Sequence, residues 1–519
     1  MKSPSEAAAV PLTGSLPGDS FCPQAQRRFV LIAAILASAL GFIDGSILSI
    51  AMPAIRVNLG ASLAEAQWIS NAYALTLSAL ILAGGAAGDR FGLRRAFVAG
   101  IALFIVSSLA CAVAPNATVL IAFRAIQGIG AAIMVPGSLA IIAKAYPKKE
   151  RGRAIGIWAA ASALTTALGP VLGGFVLSAF GDGIWRAIFA VNLPLGLLSI
   201  YLLLAKIPAD APTEKRSLDL GGAALATLAF GALAYGLTSM SSKGEGLMSG
   251  PSIAAGVVLL VLFIVFERRQ REPMIDLSLF RIRAFAGANV ATFFLYFALS
   301  ANLFYLPMLL IAGWGLSTAE VGFIFLPLSA SIALLSGPVG QWSDRIGPRF
   351  PIASGSLVVA FAFAGLAWLS HAGMHSFWTG VFPLMAVMGL GMALVVSPLS
   401  TAIMTAVEDK DTGAASGINN AVSRIGGLIA VAAMGSLAAF VYSTVLDISV
   451  RPGIPGFGEP AMAGIAPELD ATRLAANDAA FSAIAWVTAL LCLLSAVIAW
   501  TTVSGERTPW SPRAGQPRS

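Results

Sequence analysis

Long apolar stretches separated by short polar segments dominate the hydrophobic pattern of this chain from residue 29 onward. A helix needs about 20 predominantly apolar residues to cross the hydrocarbon layer of a membrane. Glycine and proline inside such stretches do not argue against helices, because neighbouring helices satisfy the freed backbone groups. The pattern therefore predicts an all-α integral membrane protein with fourteen transmembrane helices, at 29–55, 67–88, 96–114, 117–143, 153–179, 185–205, 218–240, 251–267, 284–311, 319–342, 351–370, 377–405, 413–444 and 480–502.

Composition and charge agree with this prediction. The chain is 57% apolar and 11% charged, whereas soluble proteins average roughly 25% charged residues. With the N-terminus placed inside, 25 of the 32 lysines and arginines fall in cytoplasmic segments, 5 in outer segments and 2 within spans. The positive-inside rule then predicts a multi-pass protein of the cell inner membrane with both termini cytoplasmic. The same clustering explains the net charge of +7 without a nucleic-acid-binding surface.

The segments outside the spans carry few chemical signals. Residues 1–28 and 505–519 are predicted to be disordered cytoplasmic tails, and 445–479 an external loop. The three cysteines are too scattered for a disulfide framework or a metal site. The two histidines, His371 and His375, are predicted to form an exposed loop pair. We therefore expect no metal and no cofactor.

Three short motifs occur twice, in the same order and at near-constant offsets of 255, 261 and 261 residues. Two halves that run parallel are typical of transporters with a substrate site between them near the membrane midplane. The repeat predicts an N-terminal six-helix half at 29–206, two inserted helices with linkers at 207–283, and a C-terminal six-helix half at 284–504. The recurring motifs are Gly85-x-x-x-Asp89-Arg90-x-Gly92 with Gly340-x-x-x-Asp344-Arg345-x-Gly347, Gly128-x-Gly130 with Gly389-x-Gly391, and Gly152-x-x-x-Gly156 with Gly413-x-x-x-Gly417.

These motifs and several others resemble those of the major facilitator superfamily, and specifically its fourteen-span drug:proton antiporter branch. "GAAGDRFGLRR" is similar to the family's loop motif, with Leu93 where a basic residue is usual, and "RAIQGIGAA" to its fourth-span motif. "GIWAAASALTTALGPVLGG" resembles the antiporter motif, with Thr165 at a usual glycine. "IDGSILSIAMPAI", "WRAIFAVNLPLG" and "PMIDLSLFRIRAF" resemble further signatures. The resemblance covers residues 29 to 505 and implies twelve core helices, a central cavity and alternating access.

Asp44 and Arg124 are ionisable residues inside predicted spans. A charge at the bilayer centre costs about 2.5–3.5 kcal/mol on insertion scales, so such residues point to function. Both are predicted to lie in the outer half of the membrane, close enough to interact. Burial favours the protonated acid and a nearby arginine favours the carboxylate. We expect the two residues to couple transport to protons, with a cationic substrate and a proton competing for Asp44; a purely structural pair is the alternative.

Five residues are candidates for the wall of the substrate cavity. By the repeat offset Asn302 corresponds to a position one turn from Asp44, and aromatic rings suit flat lipophilic cations. Arg424, near mid-membrane without an evident acidic partner, would bind backbone carbonyls or an anionic substrate group. Ordinary helix packing is the alternative for the others. The candidates are Asn302, Trp158, Tyr296, Tyr305 and Arg424.

Two further motifs are assigned structural roles in transport. Residues of the repeated loop motif are expected to form a conformational latch, with topology-setting charge as the alternative: Gly85, Asp89, Arg90, Gly92, Arg94, Asp344 and Arg345. The resemblance implies that the antiporter motif seals the cavity; proline breaks its helix and glycines permit close helix packing. Its residues are Gly156, Gly169, Pro170, Gly173 and Gly174.

Together these features predict proton-coupled efflux of lipophilic, often cationic drugs by alternating access. Alternatives are a specific exporter of an endogenous metabolite, lipid or antibiotic, and proton-coupled uptake. An enzyme is not expected, because the sequence shows no Ser/His/Asp set, metal cluster or phosphate-binding loop. The expected partners are small lipophilic substrates, protons and the lipid bilayer, for a monomer that binds no nucleic acid. A periplasmic adaptor and outer-membrane channel would join it only in a double-membrane bacterium.

Overall fold

In the part of the chain that the structure describes, fourteen helices are long and apolar enough to cross a membrane. The computed structural model describes residues 22–208, 210, 219–240, 246–270, 273–408, 411–446, 455–462 and 464–505. The number of spans predicted from the sequence is confirmed. The helices are α1 Gln24–Leu59, α2 Leu63–Phe91, α3 Leu93–Ala112, α4 Ala117–Ala145, α5 Glu150–Phe180, α6 Asp182–Lys206, α7 Leu220–Ser239, α8 Leu247–Arg269, α9 Arg283–Gly313, α10 Thr318–Ile346, α11 Arg349–His371, α12 Phe377–Thr405, α13 Thr412–Leu446 and α14 Pro467–Thr502.

Successive helices run in opposite directions, which gives the bundle two ends. We call the end where α1 begins end A, and the end where α1 turns into α2 end B. Local capping fixes the turns: Ser62 and Glu65 form a reciprocal capping box at the start of α2, and the Asn116 side chain accepts a hydrogen bond at the start of α4. Such caps satisfy amides that the first helical turn leaves unpaired.

The helices form two six-helix groups with matching contacts. In the first group α1 packs against α4, α5 and α6, and α4 packs against α2 and α3. In the second group α9 packs against α12, α13 and α14, and α12 packs against α10 and α11. The groups meet where α5 contacts α10 and α2 contacts α13. The predicted fold, two parallel six-helix repeats, is therefore confirmed.

Glycines at equivalent positions show why the repeated motifs recur. A Cβ at Gly130 would lie 2.9 Å from the carbonyl oxygen of Gly100, and one at Gly391 would lie 2.8 Å from that of Gly355. Real side chains do not fit at such distances, so both helix pairs require glycine. The loop motif ends in both halves on a glycine with positive φ, +90° at Gly92 and +88° at Gly347, a region that favours glycine.

The two inserted helices form a hairpin on the outside of the bundle. Helix α7 packs against α8 and also contacts α2 and α13, one helix from each half. Most of the apolar window of α8 is exposed, with only 11% of it buried. The architecture is thus six plus two plus six, and the apolar face of α8 is left for lipid.

Two helices begin inside segments that the sequence analysis assigned to a tail or a loop. Helix α1 begins at Gln24, so residues 24–28 are helical, and α14 begins at Pro467, so residues 467–479 are not loop. Hydropathy misses the start of α14 because its first turns are polar: Glu468 and Asp470 lie in its first turn, and Asp470 pairs with Arg473 at 2.7 Å. Residues 1–21, 447–454 and 506–519, which include most of both predicted tails, lie outside the described residues.

Candidate substrate and proton sites

A cavity of about 1040 Å³ lies between the two halves. Its wall comes from α1, α2, α3, α4 and α5 on one side and from α9, α10 and α13 on the other. At end A the lining reaches Asp89, Leu93 and Gly413, which lie at helix ends. Towards end B it stops at Ser49 and Ser70, well inside α1 and α2. The cavity therefore opens at end A and is closed at end B.

Asp44 and Arg124 form an ion pair inside the first half, and each is 1% exposed. Arg124 Nη1 donates to Asp44 Oδ2 and, at 2.7 Å, to Gln127 Oε1, while Gln127 Nε2 donates to Asp44 Oδ1 at 3.0 Å. Arg124 Nε donates to the carbonyl of Ile69 at 3.0 Å. The proximity expected for Asp44 and Arg124 is confirmed. The pair is also hydrogen-bonded on both partners, as a buried ion pair requires.

The ring of Tyr73 covers this pair on the side of the cavity. Its centroid lies 4.3 Å from the guanidinium carbon of Arg124, and Tyr73 itself lines the cavity. Neither Asp44 nor Arg124 belongs to the cavity wall in this conformation. The expectation that a cationic substrate meets Asp44 directly does not fit this conformation, because both carboxylate oxygens are hydrogen-bonded within the buried cluster.

The antiporter motif packs on the segment of α1 that carries Asp44. A Cβ at Gly169 would lie 3.1 Å from Ser46 Oγ, and one at Gly173 would lie 2.9 Å from Ile47 Cγ2. A Cβ at Gly174 would lie 2.3 Å from the carbonyl oxygen of Thr318, at the start of α10. Thr318 Oγ1 also donates to the carbonyl of Gly174 at 2.9 Å. The contacts between Gly174 and Thr318 join the two halves near end B.

Two other members of the antiporter motif behave differently from these glycines. The carbonyl oxygen of Pro170 lies 2.8 Å from the position of a Cβ on Gly322, so α5 also touches α10 here. The break predicted at Pro170 is wrong, because α5 continues as a helix through this residue to Phe180. Gly156 has open space where a Cβ would be. Close packing therefore explains the glycines in the second half of the motif and not Gly156.

Three of the five candidate cavity residues lie in the wall: Trp158, Tyr296 and Arg424. The other two do not. Asn302 is fully buried, and its Nδ2 donates to Thr488 Oγ1 on α14 at 2.8 Å. Tyr305 is fully buried, and its hydroxyl accepts from Gln67 Nε2 at 2.8 Å and donates to the carbonyl of Val431. The repeat offset assigned Asn302 to the cavity, but the residue faces α14.

The loop motif between α2 and α3 is held by an acid that the sequence did not single out. The Asp210 carboxylate accepts hydrogen bonds from the backbone N–H groups of Leu93 and Arg94, both at 2.9 Å, and from Lys144 Nζ at 2.8 Å. A Cβ at Gly92 would lie 3.1 Å from the Asp210 carbonyl oxygen. The α6–α7 connection thus fastens the start of α3 and the end of α4.

The charge of Asp210 is stabilised by these contacts. Burial by itself raises the pKa of this carboxyl, but the hydrogen bonds from Lys144, Arg94 and Leu93 outweigh it, so the net pKa lies below its ordinary value. A carboxylate at the first turn of α3 also interacts favourably with the helix dipole. Asp210 therefore stays ionised at neutral pH.

Asp89 and Asp344 do not act as latches in this conformation. Within the described part of the chain neither carboxylate takes part in an ion pair. Asp89 lies at the mouth of the cavity and Asp344 is exposed. The cavity opens at this end, which leaves Asp89 facing the mouth instead of a helix end.

At end B, Arg56 of α1 ties the first half to the segment that precedes α14. It is 3% exposed. Its Nη1 donates to the carbonyl of Phe457 at 2.7 Å, and its Nη2 pairs with Glu459 Oε1 at 2.6 Å. Arg473 of α14 donates to the carbonyl of Glu459 at 3.2 Å. These bonds close end B between the halves.

The histidines are not simply an exposed loop pair. His375 Nε2 lies 2.7 Å from Asp478 Oδ2, and its ring lies 4.8 Å from that of Trp314. Trp314 Nε1 donates to the other Asp478 oxygen at 2.8 Å. His371 is exposed at the end of α11. The cluster joins three segments of the second half at end B.

Sequence reasoning missed Gln127, Tyr73 and Asp210 as site residues. Gln127 carried a usable signal, because it follows Arg124 by three positions and so lies on the same helix face. Tyr73 carried only the weak signal of a polar aromatic residue inside a span. Asp210 lies 117 residues from Leu93, and no pattern in the sequence links two positions so far apart.

Comparison with known proteins decides the family. A protein-family sequence model, described as the Major Facilitator Superfamily, matches residues 34–431. The chain belongs to the major facilitator superfamily. The resemblance inferred from the motifs is confirmed, and the protein is a multi-pass membrane transporter of small molecules, not an enzyme.

Curated relatives within this superfamily align over most of the chain. It is 34% identical over 437 residues to Multidrug resistance protein Stp of Mycobacterium tuberculosis, covering 83% of this chain and 79% of that protein. It is 32% identical over 415 residues to the Tetracenomycin C resistance and export protein of Streptomyces glaucescens, covering 78% and 75%. It is 32% identical over 413 residues to the Methylenomycin A resistance protein of Bacillus subtilis, covering 78% and 87%. These names fit the drug-efflux branch.

Solved structures agree on the fold. A bacterial homologue of the human lysosomal transporter Spinster superposes with a TM-score of 0.67 at 18% identity, covering 94% of this chain and 100% of that one. A D-xylose-proton symporter superposes with a TM-score of 0.61 at 15% identity, covering 92% and 98%. At these identities the likeness concerns the architecture alone.

Proposed function

We propose that this transporter exports lipophilic drugs or other toxic compounds in exchange for protons. The observation that carries the proposal is that one bundle contains two separate features. One is a large, mostly apolar cavity between the halves, and the other is a buried Asp44–Arg124 pair behind the cavity wall. The multidrug and antibiotic resistance names of the aligned relatives support the direction of transport and the kind of cargo.

We assign end A to the cytoplasm on the basis of the positive-inside rule. Described basic residues cluster there, including Arg90, Arg94, Arg95 and Arg151, whereas end B has Arg56, Arg186 and Arg473. Both described chain ends then face the cytoplasm. In this arrangement the cavity is open to the cytoplasm, from which an exporter collects its substrate.

The functional units are the two halves, with the inserted hairpin beside them, in a monomer in the inner membrane. A double-membrane cell would add an adaptor and an outer-membrane channel.

The proton step takes place at Asp44. When its carboxylate accepts a proton, the ion pair with Arg124 is lost. Arg124 keeps three other partners: the carbonyl of Ile69, the amide oxygen of Gln127 and the ring of Tyr73. Protonation therefore does not leave a buried arginine without partners, a change that would otherwise cost roughly 3–5 kcal/mol.

Coupling runs through α1. Ser46 and Ile47 pack on Gly169 and Gly173 of the antiporter motif, so a shift of α1 on protonation of Asp44 acts on the α5–α10 contact that closes end B. Drug and proton are thus coupled through the conformation of the bundle, without sharing one carboxylate. Asp89 serves as a latch in the opposite state, in which end A is closed.

A specific exporter of one antibiotic or metabolite is the second candidate. It is favoured by relatives whose names refer to single compounds, tetracenomycin C and methylenomycin A. Efflux assays in cells with a panel of dyes, biocides and antibiotics separate the two candidates. Export of several unrelated compounds supports a multidrug pump, and export of one compound supports the specific exporter.

The test of proton coupling is proton release from purified protein on addition of an exported compound. Wild type should release protons that a pH-sensitive dye detects, and Asp44→Asn should release none. Asp44→Glu, which keeps an acid, should restore release and shows that the site tolerates substitution. Asp182→Asn removes an exposed acid at end B and should behave as wild type. Undiminished release from Asp44→Asn would remove this residue from the mechanism.

A further inference from the structure

The central cavity carries an imbalance of charge. Of the described residues that line it, only Asp89 and Arg424 are charged. Asp89 lies at the mouth, two positions before the end of α2. Arg424 lies about twelve residues into α13, which at about 1.5 Å per residue is roughly 18 Å from end A. The interior of the cavity therefore has a positive charge and no acidic side chain beside it.

Among the described residues, Arg424 has no acidic partner that neutralises it. Its Nε is buried and makes no hydrogen bond, and no described ion pair includes this residue. Arg124, the other arginine within a span, has a carboxylate, an amide, a carbonyl and an aromatic ring around it. An unpaired arginine at membrane depth is costly to maintain and points to a functional site.

Residues with hydrogen-bonding groups line the cavity together with this guanidinium. Tyr73 and Tyr296 both line the cavity and lie close enough to interact with the charge of Arg424. Asn420 and Ser423, on the same helix, line the cavity too. A guanidinium forms two parallel, charge-assisted hydrogen bonds with a carboxylate or a phosphate. The phenol O–H groups of the tyrosines and the amide N–H groups of Asn420 would donate hydrogen bonds to the remaining lone pairs on the oxygen atoms of such an anion.

The rest of the wall suits an apolar body. Leu303, Phe304, Phe325 and Leu328 line the cavity on the side of the second half. A lipophilic cation would gain the same apolar contacts but would meet Arg424 with like charge, and the buried Asp44 offers it no free carboxylate oxygen. The charges in the cavity thus argue against the cationic cargo expected from the sequence.

We propose that the cavity binds lipophilic organic anions, with Arg424 holding the acidic group and Tyr73 and Tyr296 beside it. This inference rests on the proposed export function and specifies its substrate class. A compound with a carboxylate or acidic phenol attached to an aromatic skeleton meets both requirements. Neutral lipophiles would bind more weakly, and cations most weakly.

The test compares three probes that share one aromatic body: pyrenebutanoate, its methyl ester and pyrenebutylammonium. Energy transfer from tryptophan to pyrene in purified, detergent-solubilised protein measures binding with no ion gradient present. Wild type should bind the carboxylate at least roughly tenfold more tightly than the ester, as expected for a charge-assisted hydrogen bond, and the ammonium more weakly than the ester. Arg424→Gln should bind carboxylate and ester alike, and Arg424→Lys should keep part of the preference.

Arg268→Gln is the matched control, because Arg268 is an exposed arginine on α8, outside the cavity; it should bind all three probes as wild type does. Equal or tighter binding of the ammonium by wild type, or an unchanged carboxylate preference in Arg424→Gln, would overturn the inference.

Transport is measured separately, in proteoliposomes with a pH gradient. Export of the ester without a carboxylate preference would leave the proposed function intact. An Arg424-dependent carboxylate preference without any gradient-driven export would refute the function and keep the binding site.

Discussion

Tyr73 lies between Arg124 and the substrate cavity, with its ring centroid 4.3 Å from the guanidinium carbon. The ring is 8% exposed and forms part of the cavity wall. It therefore separates the proposed proton site, the buried Asp44–Arg124 pair, from a water-accessible space. In an antiporter this separation matters, because protons that reach the acid without substrate movement would dissipate the gradient.

Replacing this ring by a small side chain should produce a proton leak. Tyr73→Ala removes the cover and the cation–π contact, which is worth about 2 kcal/mol when desolvated, and admits water to Asp44 and Arg124. We expect faster collapse of an imposed pH gradient in proteoliposomes without substrate, measured with an internal pH dye. Tyr73→Phe keeps the ring and should remain as tight as wild type. A Tyr73→Ala protein no leakier than wild type would show that the ring is not the barrier.

The sequence predicted the fold far better than it predicted the arrangement of side chains. Hydropathy identified fourteen spans, and the repeats identified two parallel halves, because both depend on local pattern and on glycines that close packing requires. The Asp44–Arg124 contact was predictable from helix direction and depth together with the family resemblance, which implies that the first and fourth helices line the same cavity. The rotation of each helix about its own axis was not predictable from the sequence. Asn302 was therefore assigned to the cavity, although its side chain contacts Thr488.

Closure of end B should depend on Gly174 having no side chain. In Gly174→Ala the new Cβ would lie 2.3 Å from the backbone oxygen of Thr318, and backbone cannot move aside as a side chain can. Overpacking of this kind costs typically 1–3 kcal/mol and would force α5 and α10 apart. We expect at least a tenfold loss of gradient-driven export, measured in proteoliposomes, with the protein still folded by circular dichroism.

The matched control for this prediction is Gly156→Ala, on the same helix, where a Cβ meets open space. It should export at close to the wild-type rate. Equal loss in both variants would mean that α5 is sensitive to any added methyl group and that the contact with Thr318 is not the cause.

Asp210 should stabilise the protein in a pH-dependent manner. Its pKa is lowered in the folded state, so its contribution is fully present above its unfolded-state pKa of about 3.9 and is lost as the pH falls through the lower folded value. Asp210→Asn should lower the melting temperature in detergent at pH 7 by several degrees, because hydrogen bonds to a charged group contribute about 1.5–3 kcal/mol. The difference from wild type should shrink below about pH 4. Differential scanning fluorimetry measures the difference in melting temperature and its change with pH. A difference that does not change with pH would contradict a stabilising role for the Asp210 charge.

Arg56 should hold end B closed by joining the two halves. Arg56→Gln removes the ion pair with Glu459 and weakens the bond to the Phe457 carbonyl, so the population open at end B should increase. Spin labels on Val113→Cys and His371→Cys, exposed at end B of opposite halves, report the separation by pulsed electron resonance. The three native cysteines are buried, which limits their labelling.

Arg186 provides the comparison for this experiment, since its Nη1 donates at end B to the carbonyls of Ala112 and Ala114 within one half only. Arg186→Gln should leave the distance distribution between the labels unchanged. A new, longer distance in Arg56→Gln alone identifies the Arg56 bonds as the tie between the halves. Identical distributions in both variants and wild type would show instead that the contact of Gly174 with Thr318 is sufficient to keep end B closed.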